Sequence, residues 1–273
     1  MNIPQLTTIS ITVADRIADI RLNRPDRSNA INDAMWQEIR QAFEWVDGAP
    51  EIRVAILSGE GNNFCAGIDL GMLASIQQRI AHTDGARSRE TLRRLILNLQ
   101  DCLSSIERCR KPVLAAIHGA CVGGALDLVT CCDMRYATPD AFFSIKEIDI
   151  GMVADVGSLQ RLPRLIGEGM TRELAYTGRK VDAEEAQRLG LANCVFGSIA
   201  ELNTEVRHIA ESIAAKSPLA IRGSKEILNY SRDHSIADGL IYVATWNSTA
   251  LLSIDLAKSM QAQRENSLPS FDD

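Results

Sequence analysis

The chain contains no run approaching the ~18 uninterrupted apolar residues that a membrane-spanning helix needs. No Cys-x-x-Cys pair occurs among its seven cysteines, and the cysteines show no metal-ligand spacing. With an odd cysteine count in a chain too long to need disulfide staples, a reducing compartment is expected. There is no excess of basic residues: 29 Lys and Arg stand against 35 Asp and Glu, a net charge of −6. That balance argues against a general nucleic-acid or anionic-membrane binder, although a local basic pocket could still hold a small anionic ligand. Neither a GK[ST] phosphate loop nor a GxGxxG dinucleotide turn is present. The first ten residues, MNIPQLTTIS, lack a charged segment leading into an apolar run, and the last six, LPSFDD, match no peroxisomal or retention address. On these grounds a cytoplasmic location, in a bacterium, is expected. Low-complexity linkers and fixed-period repeats are missing too.

What is present is a 273-residue sequence, 46% hydrophobic, able to bury a large core. TISITVAD and RIADIRLN alternate apolar and polar residues around Asp15-Arg16, which predicts a β-hairpin. Asn32 is placed to cap a helix that carries Met35, Trp36, Ile39, Phe43 and Val46 on one face. RVAILSG (53–59) and VLAAI (113–117) read as buried strands, and residues 88–110 as a long amphipathic helix stopped by Pro112. GGALDLVTCC reads as helix, MRYA and FFSI as short strands, and 157–176, 182–189 and 198–215 as helical. Two last helices, near 218–231 and 236–263, follow without intervening strands. Strand–helix alternation with a helical tail implies an α/β core plus a C-terminal helical module.

Three carboxylates, Asp127, Glu147 and Asp155, lie beside glycine-containing turns in the middle third. Gly123 and Gly124 permit a sharp turn that leaves N–H groups free at a helix start, where an oxygen gaining negative charge is stabilised. An ordinary tight β–α turn would carry the same glycines. Asp127 sits in the apolar run LDLV, where a carboxylate is costly unless paired, protonated or catalytic. It could equally satisfy its own helix N-terminus. Glu147 and Asp155 flank the glycine-broken stretch IDIGMVADVG, and two carboxylates in one site can hold different proton affinities. Asp155 could instead cap a helix starting near Val156. Lys146 and Asp149 read more simply as surface charges, and His118, Cys121, Cys131 and Cys132 as structural.

Five segments together carry a family resemblance: LNRPDRSNAI (22–31), FCAGIDL (64–70), HGACVGGALDL, FFSIKEIDIG and SLQRLPRLIG (158–167). With TGRKVDAEEAQRLGLANCVF (177–196) downstream, the chain resembles the crotonase, or enoyl-CoA hydratase/isomerase, superfamily from about Ile9 to beyond Ile221. The resemblance implies a crotonase-type spiral of β-β-α turns over residues 1–215, holding the acyl-CoA site. It implies a C-terminal helical trimerisation module over 216–273, and homotrimers often paired into hexamers. The substrate would be an acyl-CoA thioester, with no metal and no cofactor beyond the coenzyme A of the substrate itself. Its thioester oxygen would sit in an oxyanion hole made by the N–H groups of Ile68 and Gly124. Arg27, Ala30, Ala66, Gly67, Asp69, Leu70 and Ala125 fall at substrate-binding positions, and Ile68, Leu70, Met72, Phe142 and Met152 would line the acyl pocket.

Within that superfamily the acids distinguish the members. KEIDIGMVADVGSLQRLP, with acids spaced 20 and 8 residues apart, resembles the dienoyl-CoA isomerases, which convert 3,5-dienoyl-CoA to 2,4-dienoyl-CoA. Ala125 departs from the subgroup, which usually has a third glycine there. Moving two conjugated double bonds takes a proton from C2 and returns one at C6 through a dienolate, so two separated acids are needed. Glu147 and Asp155 are expected to be that pair, with Asp127 shaping the site electrostatically. The alternative is an enoyl-CoA hydratase working through Asp127 and Glu147. A non-catalytic RNA-binding member would need a basic face that this composition does not offer.

Overall fold

The computed structural model describes residues 2–273, opening on the expected hairpin. Strands β1 (Ile9–Ala14) and β2 (Ile17–Leu22) pair antiparallel, with Ile9 opposite Leu22 and Ala14 opposite Ile17. Asp15 and Arg16 both take positive φ, 52° and 67°, as a two-residue primed turn requires. Beyond β2 the large sheet adds parallel strands β3 (Val54–Gly59), β4 (Val113–Ile117), β6 (Met134–Ala137) and β9 (Cys194–Val195), in that order. A smaller sheet holds β5 (Ala120–Val122), β7 (Phe142–Ser144) and β8 (Val181–Asp182), with β7 in the middle.

The chain alternates between the sheets. β4 enters the large sheet, β5 the small one, and helix α4 (Gly124–Thr130) follows; β6 and β7 repeat the step. This is the expected spiral of β-β-α turns, an α/β fold. Parallel strands are buried on both faces, so they read as continuous apolar runs. In β4, Val113, Ala115 and Ile117 face the main core while Leu114 and Ala116 face a second one. Helix α8 (Ile199–Ala214) closes that second core with Leu202, Val206, Ala210 and Ala214.

Helix α1 (Asp33–Gly48) buries Met35, Trp36, Ile39, Phe43 and Val46 as expected, and the Asn32 side chain accepts the Met35 N–H at 3.0 Å. Four elements were not expected: β5, a three-residue strand inside the glycine turn, the two-residue strands β8 and β9, and helix α2 (Leu70–Arg79), which buries only Met72. Helix α3 (Gly85–Arg108) packs Leu99, Leu103 and Ile106 into the core, with Leu92, Leu95 and Ile96 half-buried. Gly167 divides the 157–176 region into α5 (Ser158–Ile166) and α6 (Glu168–Thr177), and α7 (Ala183–Leu189) follows β8. After α9 (Pro218–Asp233), the single helix expected over 236–263 is in fact two, α10 (Ile236–Ala250) and α11 (Ile254–Arg264). Ser253 caps α11 by accepting the Leu256 N–H, which favours a fresh start there. Ile236, Leu240, Ile241, Leu252 and Ile254 in this region are more than 60% exposed. The last residues turn back: Phe271 is buried, its carbonyl accepts from Arg53 at 2.6 Å, and Asp273 pairs with the same guanidinium.

Candidate active site

The loop after β3 meets strand β5 and the segment before α1 along their backbones. Cys65 N–H donates to Ala120 C=O, Val122 N–H donates to Cys65 C=O, and Ile31 N–H donates to Gly67 C=O at 2.7 Å. Gly67 makes the approach possible: its φ is +89°, and a Cβ there would lie 2.5 Å from the Val122 carbonyl oxygen. The crossing brings the N–H groups of Ile68 and Gly124 together. A Cβ on Gly124 would lie 3.7 Å from the Ile68 nitrogen, and one on Gly67 would lie 3.3 Å from the Gly124 nitrogen. Neither N–H donates to a backbone or side-chain acceptor among the described residues. Two convergent free donors can hold an oxygen that becomes negative.

These donors open on a cavity of about 490 Å³. Arg27, Ala30, Ala66, Gly67, Ile68, Asp69 and Leu70 line one side, and Val122, Gly123, Gly124, Lys146, Glu147 and Ile150 the other. Six of the seven expected substrate-binding positions therefore border it. Ala125 does not: it is fully buried in α4. Met72 packs in the core, and Phe142 lies beneath the Lys180 ammonium, 4.1 Å from the ring centroid. Neither these two nor Met152 lines the cavity. Asp69 borders it but is held structurally, accepting the Gly71 N–H at 2.9 Å and pairing with Arg24 at 3.1 Å. The Arg24 hydrogen bond keeps its carboxyl below the usual range. Lys146, expected only as a surface charge, lines the cavity and pairs with Asp149.

Glu147 begins the short turn Glu147–Ile150 after β7 and points at the glycine turn: a Cβ on Gly123 would lie 3.0 Å from Glu147 Oε1. Glu147 Oε2 is buried without a hydrogen-bond partner among the described residues. Burial, and then the Asp127 charge, push its carboxyl up to about 7.

Asp127 is fully buried and does not border the cavity. It satisfies a helix N-terminus, but not its own. Asp127 Oδ1 accepts the Ser158 N–H at 2.5 Å and the Ser158 hydroxyl, at the first residue of α5, while Oδ2 has no partner among the described residues. Burial raises its carboxyl to about 6 despite the two Ser158 donors.

Asp155 is half-buried and caps nothing: Gly157 precedes α5, and Asp127 takes the Ser158 N–H. It borders a second, more polar cavity of about 670 Å³, with Gln100, Ser104, Gln160 and Arg161. Gln100 holds its backbone carbonyl at 2.6 Å. Burial raises this carboxyl as well, and its charge contributes to the upward shifts at Asp127 and Glu147. The three acids thus form one electrostatic cluster that opens on two cavities. Ser158 and Gln100 were missed from sequence; a serine at a helix start was the only signal for the first. Among the residues set aside, the His118 ring bonds the Gly61 carbonyl at 2.8 Å.

The family described as Enoyl-CoA hydratase/isomerase matches residues 12–273. A peroxisomal delta(3,5)-delta(2,4)-dienoyl-CoA isomerase of Arabidopsis thaliana is 50% identical over 251 residues, 92% of this chain and 90% of the relative. The mitochondrial enzyme of the same name from Homo sapiens is 44% identical over 261 residues, 95% of this chain and 80% of that protein. The crystal structure of an enoyl-CoA hydratase from Bacillus anthracis superposes with a TM-score of 0.89 at 30% identity, covering 97% of this chain and 99% of that one. The expected cytoplasmic location does not hold against these relatives, one of which is named peroxisomal and the other mitochondrial.

Proposed function

The chain belongs to the enoyl-CoA hydratase/isomerase family, and we propose that it isomerises 3,5-dienoyl-CoA to 2,4-dienoyl-CoA. The observation that carries this reading is a third acid: Asp155 joins Asp127 and Glu147 in one cluster but opens on a different cavity. A hydratase needs two acids around one water at C2–C3. A dienoyl isomerase needs acids at both ends of a five-carbon span.

The thioester oxygen lies between the Ile68 and Gly124 N–H groups, an oxyanion hole. Glu147 shares that cavity, so it takes the proton from C2. Electron density moves onto the thioester oxygen, giving an extended enolate that the two donors stabilise by about 3–4 kcal/mol each. Asp155, kept protonatable by burial, delivers a proton at C6 as the enolate collapses to the 2,4-diene. Overall one proton leaves C2, one arrives at C6, and both carboxyls then exchange with water. Arg27 and Lys146 at the cavity rim face the anionic groups of coenzyme A. Assembly through α10 and α11 into trimers, or paired trimers, is supported by the exposed Ile236, Leu240 and Ile241 of α10, Leu252 in the break between them and Ile254 of α11.

The test is conversion of 3,5-octadienoyl-CoA, followed by the absorbance of the 2,4-diene, with crotonyl-CoA hydration measured in parallel. Fast diene conversion with little hydration is expected. Hydration that proceeds without diene conversion, and survives Asp155→Asn, makes the protein a hydratase.

A further inference from the structure

Glu147 and Asp127 are joined through Gly123. Glu147 Oε1 packs against that glycine, and the Gly123 carbonyl accepts the Asp127 N–H at 3.2 Å. Each acid leaves one oxygen buried and without a hydrogen-bond partner among the described residues. The other oxygen of Asp127 receives both donors of a single residue, Ser158, one from its backbone N–H and one from its hydroxyl, so that this hydroxyl is the side-chain donor holding the carboxylate.

We propose that Ser158 is a positioning residue that holds Asp127 charged and fixed through Oδ1, and thereby sets how tightly Glu147 binds its proton. This rests on the reading of Glu147 as the base only for its catalytic consequence, not for the protonation itself. Donors to an ionised carboxylate favour the charged form, and a charged neighbour opposes ionisation of the next acid. With the hydroxyl removed, Asp127 takes up a proton more readily, its charge fades, and Glu147 ionises at lower pH. The surrounding charges leave room for this control. Asp155 adds negative charge to both acids; Arg161 counters it at Asp127, but its guanidinium is engaged by Glu107 at 3.0 Å, which also pairs with Arg232. Lys146, next to Glu147 in the chain, is paired with Asp149. The Cys121 and Cys131 thiols nearby are pushed up by burial and stay neutral.

The experiment is pH-difference infrared spectroscopy of the intact protein with carbon-13 glutamate, using Glu147→Gln to identify the Glu147 band. Ser158→Ala is expected to lower the Glu147 titration midpoint by ~0.5–1 pH unit. Asp127→Asn lowers it at least as far, and the double variant matches Asp127→Asn alone, because Ser158 acts only through that charge. Should Ser158→Ala not fold, Ser158→Cys, nearly isosteric but a weaker donor, shifts the midpoint in the same direction. A midpoint unmoved by the Ser158 variants, or a double variant whose shifts add, overturns the proposal. The spectra are taken without substrate, so failure to convert the diene would refute the isomerase reading and leave this result to stand or fall by itself.

Discussion

A methyl group on Gly123 would lie 3.0 Å from Glu147 Oε1, closer than nearly all real Cβ contacts, at a φ of +57°. Gly123→Ala should therefore push Glu147 out of line and strain the turn. The expected result is a loss of ~10²-fold or more in kcat, the scale for a displaced acid–base group, with a folded protein that is ~1–3 kcal/mol less stable. Denaturant titration separates the two effects.

Glu147→Gln and Asp155→Asn should each lower diene conversion by roughly 10²–10⁴-fold. Because neither side chain holds coenzyme A, binding of a saturated acyl-CoA, measured by calorimetry, should stay within about threefold of the parent. Equal loss of binding in Asp155→Asn would mean the residue holds the loop rather than a proton.

The base must be ionised, and burial with the Asp127 charge raises Glu147 to about 7. Lowering the pH protonates it, so kcat/KM should fall below about pH 7, and because Asp155 must carry the proton it delivers, the rate should fall again on the alkaline side. A pH–rate profile flat down to pH 5 would remove Glu147 from that role.

Asp127 carries the opposite stability sign to a salt-bridged carboxylate. Its folded value is raised from 3.8 to about 6, so the folded state binds the proton more tightly. Stability from this group is greatest below the unfolded value, is lost as pH rises through about 6, and stays lost above. Asp127→Asn should accordingly raise the unfolding free energy at pH 8 by about 1–3 kcal/mol and flatten its pH dependence, as read by denaturation at pH 4.5 and 8.

Ile241 and Leu252 are 69% and 91% exposed in the single chain. Replacing both with aspartate should shift the assembly to monomers by sedimentation while leaving the chain folded. An unchanged sedimentation coefficient would overturn the proposed assembly through this face.

The sequence made α1 and the hairpin legible because one periodicity and one cap fix each. It hid α2 because ten residues with a single buried side chain, Met72, carry almost no period. It hid β5 because three strand residues sit within a glycine turn. The break between α10 and α11 falls in ALLSIDL, whose apolar residues suit a continuous helix; only Ser253 betrays it. The acids themselves could be named in sequence, but their division of labour could not. That Asp127 rather than Asp155 secures the start of α5 depends on a contact spanning 31 residues.

That contact also bears on how such a site can change over generations. The carboxylate that tunes Glu147 is the same one that fastens the segment bearing Asp155. Any substitution at position 127 or 158 would therefore reach both proton-transfer ends at once, through a single carboxylate.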